Sequence, residues 1–214
     1  MTAVLLLCLV LVWTVSRFVL QPYEIPSGSM EPGLRPGDRV LVNKVAYRFG
    51  ARPQRGDVVV FDGTGYFGGA EFVKRVVGVG GDRVVCCDTR GRIEVNGVPR
   101  VEDGYLHPGD APSQVKFDVS VPENTLFLLG DHRSVSRDSR DLLGAPGGGM
   151  VPVDHVIGRV DWIAWPVGRW SGVDRAGGAS DGLLPRRATG SSVRAAGGGV
   201  VAVAPAIPPG GGHG

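Results

Sequence analysis

The chain has 214 residues, 43% of them hydrophobic, enough for one ordinary domain with an apolar core plus appendages. Its 23 Lys and Arg against 21 Asp and Glu leave a net charge of only +2, and the basic residues are scattered, which excludes a nucleic-acid footprint. Three cysteines make no disulfide framework, while 35 glycines and 16 prolines imply many turns and a segment outside the core.

Residues 3–15, AVLLLCLVLVWTV, are apolar and uncharged, and the run extends to Leu20 before Gln21 and Pro22. Counted this way it reaches about 18 residues, the lower limit for a helix that crosses a bilayer. No small-x-small cleavage site follows it and no basic n-region precedes it, so residues 1–20 read as a retained transmembrane anchor. Arg17, Arg35 and Arg39 follow the run and no Lys or Arg comes before it, a charge order that by itself would leave the next domain in the cytoplasm.

Directly after this run stands PSGSMEPGLRPGD (26–38), two serines held between prolines and glycines that oppose regular helix. From 39 to 164 the pattern is strand-like. RVLVNK (39–44), DVVVF (57–61), FVKRVVGV (72–79), RVVCC (83–87), IEVNGVP (93–99), KFDVSV (116–121), TLFLLG (125–130) and VIGRVDWIAW (156–165) are short, β-branched and separated by Gly, Pro and Asp. Asn96-Gly97 is a type I′ hairpin signal. Residues 21–171 are therefore expected to form one mainly β, antiparallel domain, and 172–214, rich in Gly, Ala and Pro, a disordered tail. Cys86 and Cys87, being adjacent, are expected as partly buried free thiols, and no Cys/His spacing indicates zinc.

A serine hydroxyl needs a neighbouring base to become a nucleophile. His132 and His155 each stand beside an Asp, but no GxSxG elbow is present and nothing in the spacing brings either histidine to Ser27 or Ser29. Lys74 is the other candidate. In FVKRVVGV it shares a strand face with Phe72 and Val76, Arg75 takes the opposite face, and so one of the two cations must point inward. A lysine among apolar neighbours loses charge stabilisation, its pKa falls, and the neutral amine becomes a base near neutral pH. The bland alternative is a Lys74 that reaches solvent from a strand edge. SQVK (113–116) imitates an SxxK motif, but the KFDVSV that follows alternates as a strand, so the match is chance.

IPSGSMEPGL, RGDVVVF, FVKRVVGVGGD and FLLGDHRSVSRDSR, in this order behind an apolar N-terminal run, resemble the type I signal peptidases from about Leu5 to Trp170. The resemblance implies a partial-barrel β domain, no cofactor, no metal, and a Ser/Lys endopeptidase that cuts signal peptides from exported preproteins after Ala-x-Ala-like sites. It assigns Ser29 as nucleophile, Lys74 as general base, and Ser27 with the Ser29 N–H as the oxyanion hole. Ser136 is implied to orient the lysine, with Asp138 and Arg140 bracing the site. Ile25, Met30, Leu34 and Phe72 are candidate walls of the substrate pocket, and Met30 and Leu34 are also candidates to enter the bilayer. The implied partners are preproteins and the lipid bilayer, with the domain on the extracytoplasmic face. The chain departs from the family's GDNR-type box at His132, Ser134 and Val135, and GAPGGGM (144–150) looks like an insertion. The rival reading is a membrane-anchored β-rich binding module in which Lys74 is simply solvated.

Overall fold

The computed structural model describes residues 2–175; most of the expected tail, including the apolar stretch 199–207, lies outside the described residues. The chain opens with α1 (Thr2–Phe18), whose 17 residues rise about 25 Å at 1.5 Å each. That is less than the roughly 30 Å of a bilayer core. No helix among the described residues is long and apolar enough to cross a membrane. The apolar run extends to Leu20, but the helix stops earlier because Leu20 already pairs with Asn43 in a sheet.

Twelve strands follow in chain order: β1 (Leu20–Glu24), β2 (Arg39–Asn43), β3 (Val58–Asp62), β4 (Glu71–Val79), β5 (Arg83–Cys86), β6 (Ile93–Val95), β7 (Val98–Pro99), β8 (Phe117–Ser120), β9 (Thr125–Leu129), β10 (Val151–Pro152), β11 (Val156–Trp165) and β12 (Ser171–Gly172). The larger sheet runs β1-β2-β11-β3-β4-β9-β10 with β12 added to β11, and the smaller runs β7-β6-β5-β8. Every pairing is antiparallel, as the short alternating runs imply. β1, β10 and β12 are not signalled in the sequence. β1 contains Pro22, which cannot donate to a ladder, and it is tolerated because β1 lies at the sheet edge.

β3 explains how the core sits. Val58 and Val60 pack into a cluster with Ile25, Met30, Leu34, Val40, Val42 and Val160. Val59 and Phe61 pack into another with Phe67, Val76, Leu126 and Leu128. Alternate residues of one strand thus feed two apolar layers, so β3 is covered on both faces and reads as an uninterrupted apolar run. A third cluster joins Phe127 and Leu129 of β9 to Val84, Ile93, Val95 and Phe117 of the smaller sheet.

Asn96 and Gly97 both have positive φ, 54° and 76°, as a type I′ hairpin requires. Cys86 and Cys87 are joined by a disulfide and are not free thiols, a correction to the sequence expectation. The domain also continues past 171. Val173 N donates to Asp161 O and Arg75 Nη1 to Asp174 O, so residues 172–175 belong to the folded part rather than to a tail. GAPGGGM, expected as an insertion with no evident role, ends in Met150, which is buried in the third cluster.

Candidate active site

The serine turn leaves β1 and is fixed at both ends by burial. Ile25 and Met30 are 2% and 1% exposed, and Ile25 exchanges backbone bonds with the Gly37-Asp38 segment. Between them Gly28–Met30 make one turn of 3-10 helix, closed by Glu31 N donating to Gly28 O at 3.0 Å. Ser29 faces out of this turn toward β4. Lys74 Nζ donates to Ser29 Oγ at 2.7 Å, and Ser27 Oγ lies 3.4 Å from the same oxygen. Gly28 has no positive φ; a Cβ there would meet the Glu31 carboxylate at 3.0 Å, a contact that Glu31 could relieve by a small side-chain shift.

Lys74 is 3% exposed, so the solvated-lysine alternative fails. Burial lowers its pKa from 10.5 to about 8, and the carboxylates of Asp138 and Asp131 restrain the fall. Arg75 is 3% exposed as well, which corrects the inference that only one cation points inward. The alternation argument assumes a sheet with one wet face, and this stretch of β4 has none. The guanidinium of Arg75 donates to Asp131 Oδ1 and Oδ2, each at 2.7 Å, and to Gly56 O, and lies over the Tyr105 ring at 4.2 Å. Burial works to deprotonate it, but the Asp131 charge and the paired hydrogen bonds outweigh this and hold the proton.

The segment after β9, Gly130 to Arg140, closes the site from the other side. Asp138 is fully buried; its carboxylate accepts from Gly130 N at 3.0 Å and from Arg140 Nε and Nη2 at 2.8 Å each. Arg140 Nη2 also donates to Arg133 O, and Arg133 forms a buried pair with Glu102. His132 N donates to Ser29 O at 3.1 Å, tying this segment to the serine turn. Gly130 is the point of closest approach: a Cβ there would collide with Ser136 Oγ and stand 2.5 Å from Ser29 O. Ser136 is buried and its Oγ has no hydrogen-bond partner, so no bond joins it to Lys74 in this structure. The sequence reading missed Asp131, Arg75, Arg133 and Glu102; the charged pairs within an apolar strand and the GDHR box were the available signals.

Neither histidine candidate serves Ser29. His155 Nδ1 pairs with Asp62 O, and His132 Nδ1 stands 3.3 Å from Gly28 O. Ser113 of the SxxK imitation bonds the backbone of Val115 on the exposed surface. A cleft of about 450 Å³ opens beside Ser29 and Lys74, lined by Tyr23, Ile25, Met30, Val60, Phe72 and Val73 among others. Of the proposed walls, Ile25, Met30 and Phe72 border it, whereas Leu34 borders a separate cavity with Arg75, Tyr105 and Asp131. Met30 and Leu34 are 1% and 2% exposed, so neither offers a surface to a bilayer.

A turn-borne serine hydrogen-bonded to a buried lysine in an antiparallel β domain is an arrangement in which a lysine stands within reach of a serine hydroxyl proton. A family profile described as signal peptidase, peptidase S26, matches residues 1–165, and the chain belongs to that family. It is therefore a peptidase, and the non-catalytic binding-module reading falls. The chain is 34% identical to a probable signal peptidase I of Mycobacterium leprae over 76% of this chain and 74% of that one. It is 36% identical to a signal peptidase I of Mycobacterium tuberculosis over 77% of this chain and 71% of the relative. A solved signal peptidase I from Enterococcus faecalis V583 overlaps 51% of this chain and 97% of its own at 28% identity, with a TM-score of 0.40.

Proposed function

We propose that this peptidase removes N-terminal signal peptides from exported preproteins with Ser29 as nucleophile and Lys74 as general base. The observation that carries the reading is the 2.7 Å contact between Lys74 Nζ and Ser29 Oγ, made by a lysine buried enough to lose its proton at about pH 8. The neutral amine accepts the Ser29 hydroxyl proton as Oγ attacks the scissile carbonyl, and the ammonium so formed returns a proton to the leaving amine. The oxyanion is received by the Ser29 N–H and the Ser27 hydroxyl, which a small rotation turns from Ser29 Oγ toward the developing charge; one such donor is typically worth about 2.7–4 kcal/mol. Ser136, whose buried hydroxyl has no other partner, is assigned the task of orienting Lys74 once substrate is bound. Asp138 and Arg140 brace the Gly130 backbone behind the dyad.

The cleft walls Ile25, Met30 and Phe72 suit small side chains flanking the cut, in keeping with Ala-x-Ala-like sites. Membrane attachment is supported by α1, where Val4, Leu5, Leu6, Leu7 and Leu9 are each more than half exposed and uncovered by protein. Its 17 residues approach the lower limit of a single span. Against the charge order of Arg17, Arg35 and Arg39, the domain is assigned to the extracytoplasmic side because signal-peptide junctions emerge there. The test is cleavage of a fluorogenic peptide containing an Ala-x-Ala junction by the full chain in detergent. Ser29→Ala and Lys74→Ala each lose at least about a thousandfold in kcat/KM, as expected when members of one catalytic unit are removed. Cleavage by Ser29→Ala at the wild-type rate would refute the assignment.

A further inference from the structure

The fold assembles a second group of chemistry-bearing side chains beside the serine turn. Glu31, His107 and His132 each place one ligand-type atom within 4.8 Å of the others. His107 and His132 stack nearly parallel, with ring centroids 3.7 Å apart and planes at 7°. Nδ1 of His132 is 3.6 Å from Glu31 Oε2, and Nδ1 of His107 is shut off from solvent with no hydrogen-bond partner. A buried ring nitrogen without a partner is unfavourable, and two imidazoles with one carboxylate are the donor set of three-ligand zinc sites that leave a fourth position to water; to converge on one ion the two rings would turn out of their present stack.

We propose that Glu31, His107 and His132 form a binding site for one borderline divalent transition-metal ion of the zinc type. The atoms lie within 4.8 Å of one another, and side-chain rotation would bring them to the separations of a tetrahedral shell with metal–nitrogen bonds of about 2.0–2.1 Å. All three residues are anchored where they stand: Glu31 N bonds Gly28 O, His107 N bonds Asp131 O, and His132 N bonds Ser29 O. An ion held here adds a cross-link between the serine turn, the segment after β9 and the loop before β8, beside the hydrogen bonds and the Arg133–Glu102 pair that already join them. The reading does not depend on the peptidase assignment, because it concerns binding alone.

The test is titration of the untagged full chain in detergent with Co²⁺, read by its visible ligand-field bands, followed by competition with Zn²⁺. One equivalent binds with the intense visible absorption of four-coordinate cobalt, and added Zn²⁺ abolishes the band. His107→Gln, His132→Asn and Glu31→Gln each weaken binding by at least about tenfold, while His155→Gln and His213→Gln leave it unchanged. Zn²⁺ also raises the unfolding midpoint of the wild type in a concentration-dependent way and has no such effect on His132→Asn. Unfolding of each variant in chelator, compared with wild type, separates lost binding from lost folding. Absence of a cobalt spectrum, or binding retained in both His107→Gln and His132→Asn, or lost equally in His213→Gln, overturns the proposal.

Discussion

Lys74 carries opposing demands. Folded, it releases its proton at about pH 8; unfolded, it does so at 10.5, so between these values the unfolded chain binds more protons. Its burial therefore costs stability in full below about pH 8, and the cost fades as pH rises toward 10.5. Lys74→Met, close in volume and free of charge, is expected to be inactive yet more stable at pH 7 by on the order of 3 kcal/mol. Denaturant melts at pH 7 and pH 10 check this: the gain should shrink at the higher pH, and a variant no more stable than wild type at pH 7 contradicts the account. The same titration shapes catalysis. Because only the neutral amine accepts a proton, kcat/KM of the wild type is expected to rise about tenfold per pH unit below an inflection near 8, measurable with the peptide substrate.

Arg75 and the segment after β9 place that lysine. Asp131 takes both ends of the Arg75 guanidinium in a buried, bidentate pair, and its own carbonyl accepts from His107 N. Asp131→Asn leaves Arg75 buried beside a neutral amide, and breaking such a pair typically costs about 3–5 kcal/mol. For a chain of this size that corresponds to a fall of roughly 10 °C in the unfolding midpoint, by thermal melt. An unchanged midpoint would show that the pair is not what holds β4 to this segment. Gly130→Ala tests the same junction from the backbone side. The added Cβ stands 2.5 Å from Ser29 O, so activity should fall by more than tenfold through displacement of the serine turn.

These two elements also show how much a sequence discloses. Strand runs and the Asn96-Gly97 hairpin are local signals, carried by β-branching and by residues that accept positive φ, and they predict the mainly β, antiparallel class and most strand bounds correctly. Ser29 and Lys74 are legible because they sit in short ordered motifs. The remainder depends on distant partners. Whether Arg75 is buried is decided by Asp131 and Tyr105, and no property of β4 alone reveals that both its faces are covered. Glu31, His107 and His132 likewise meet only after the segment following β9 folds over the serine turn, so no spacing in the sequence announces them. The vicinal disulfide is misread for the opposite reason: adjacent cysteines can close only a strained bridge, so the local pattern favours free thiols.

On the proposed function, the whole molecule must hold its cleft at the height where a membrane-bound substrate presents its cleavage site. Attachment through α1, as proposed above, does not by itself set the orientation of the domain, because only a single short helix joins β1. A second contact is available. Trp162, Trp165 and Trp170 are 48%, 55% and 65% exposed, and Val167 between them is 62% exposed, a concentration of amphipathic and apolar side chains on β11 and the turn after it. Tryptophan is favoured at the boundary between headgroups and acyl chains, where its ring is apolar and its N–H can remain wet. β11 pairs with β2, the neighbour of β1, so this surface lies on the same side of the sheet order as the point where the chain leaves α1. The chain has four tryptophans in all, and Trp13→Phe therefore leaves these three as the tryptophan fluorophores, excited selectively over tyrosine. In proteoliposomes containing bromine-labelled lipids, the Trp13→Phe chain should show strong quenching of its emission, reduced when Trp165 and Trp170 are both replaced by serine. Emission equal in brominated and ordinary lipid would mean that the domain stands clear of the bilayer and that α1 alone carries the attachment.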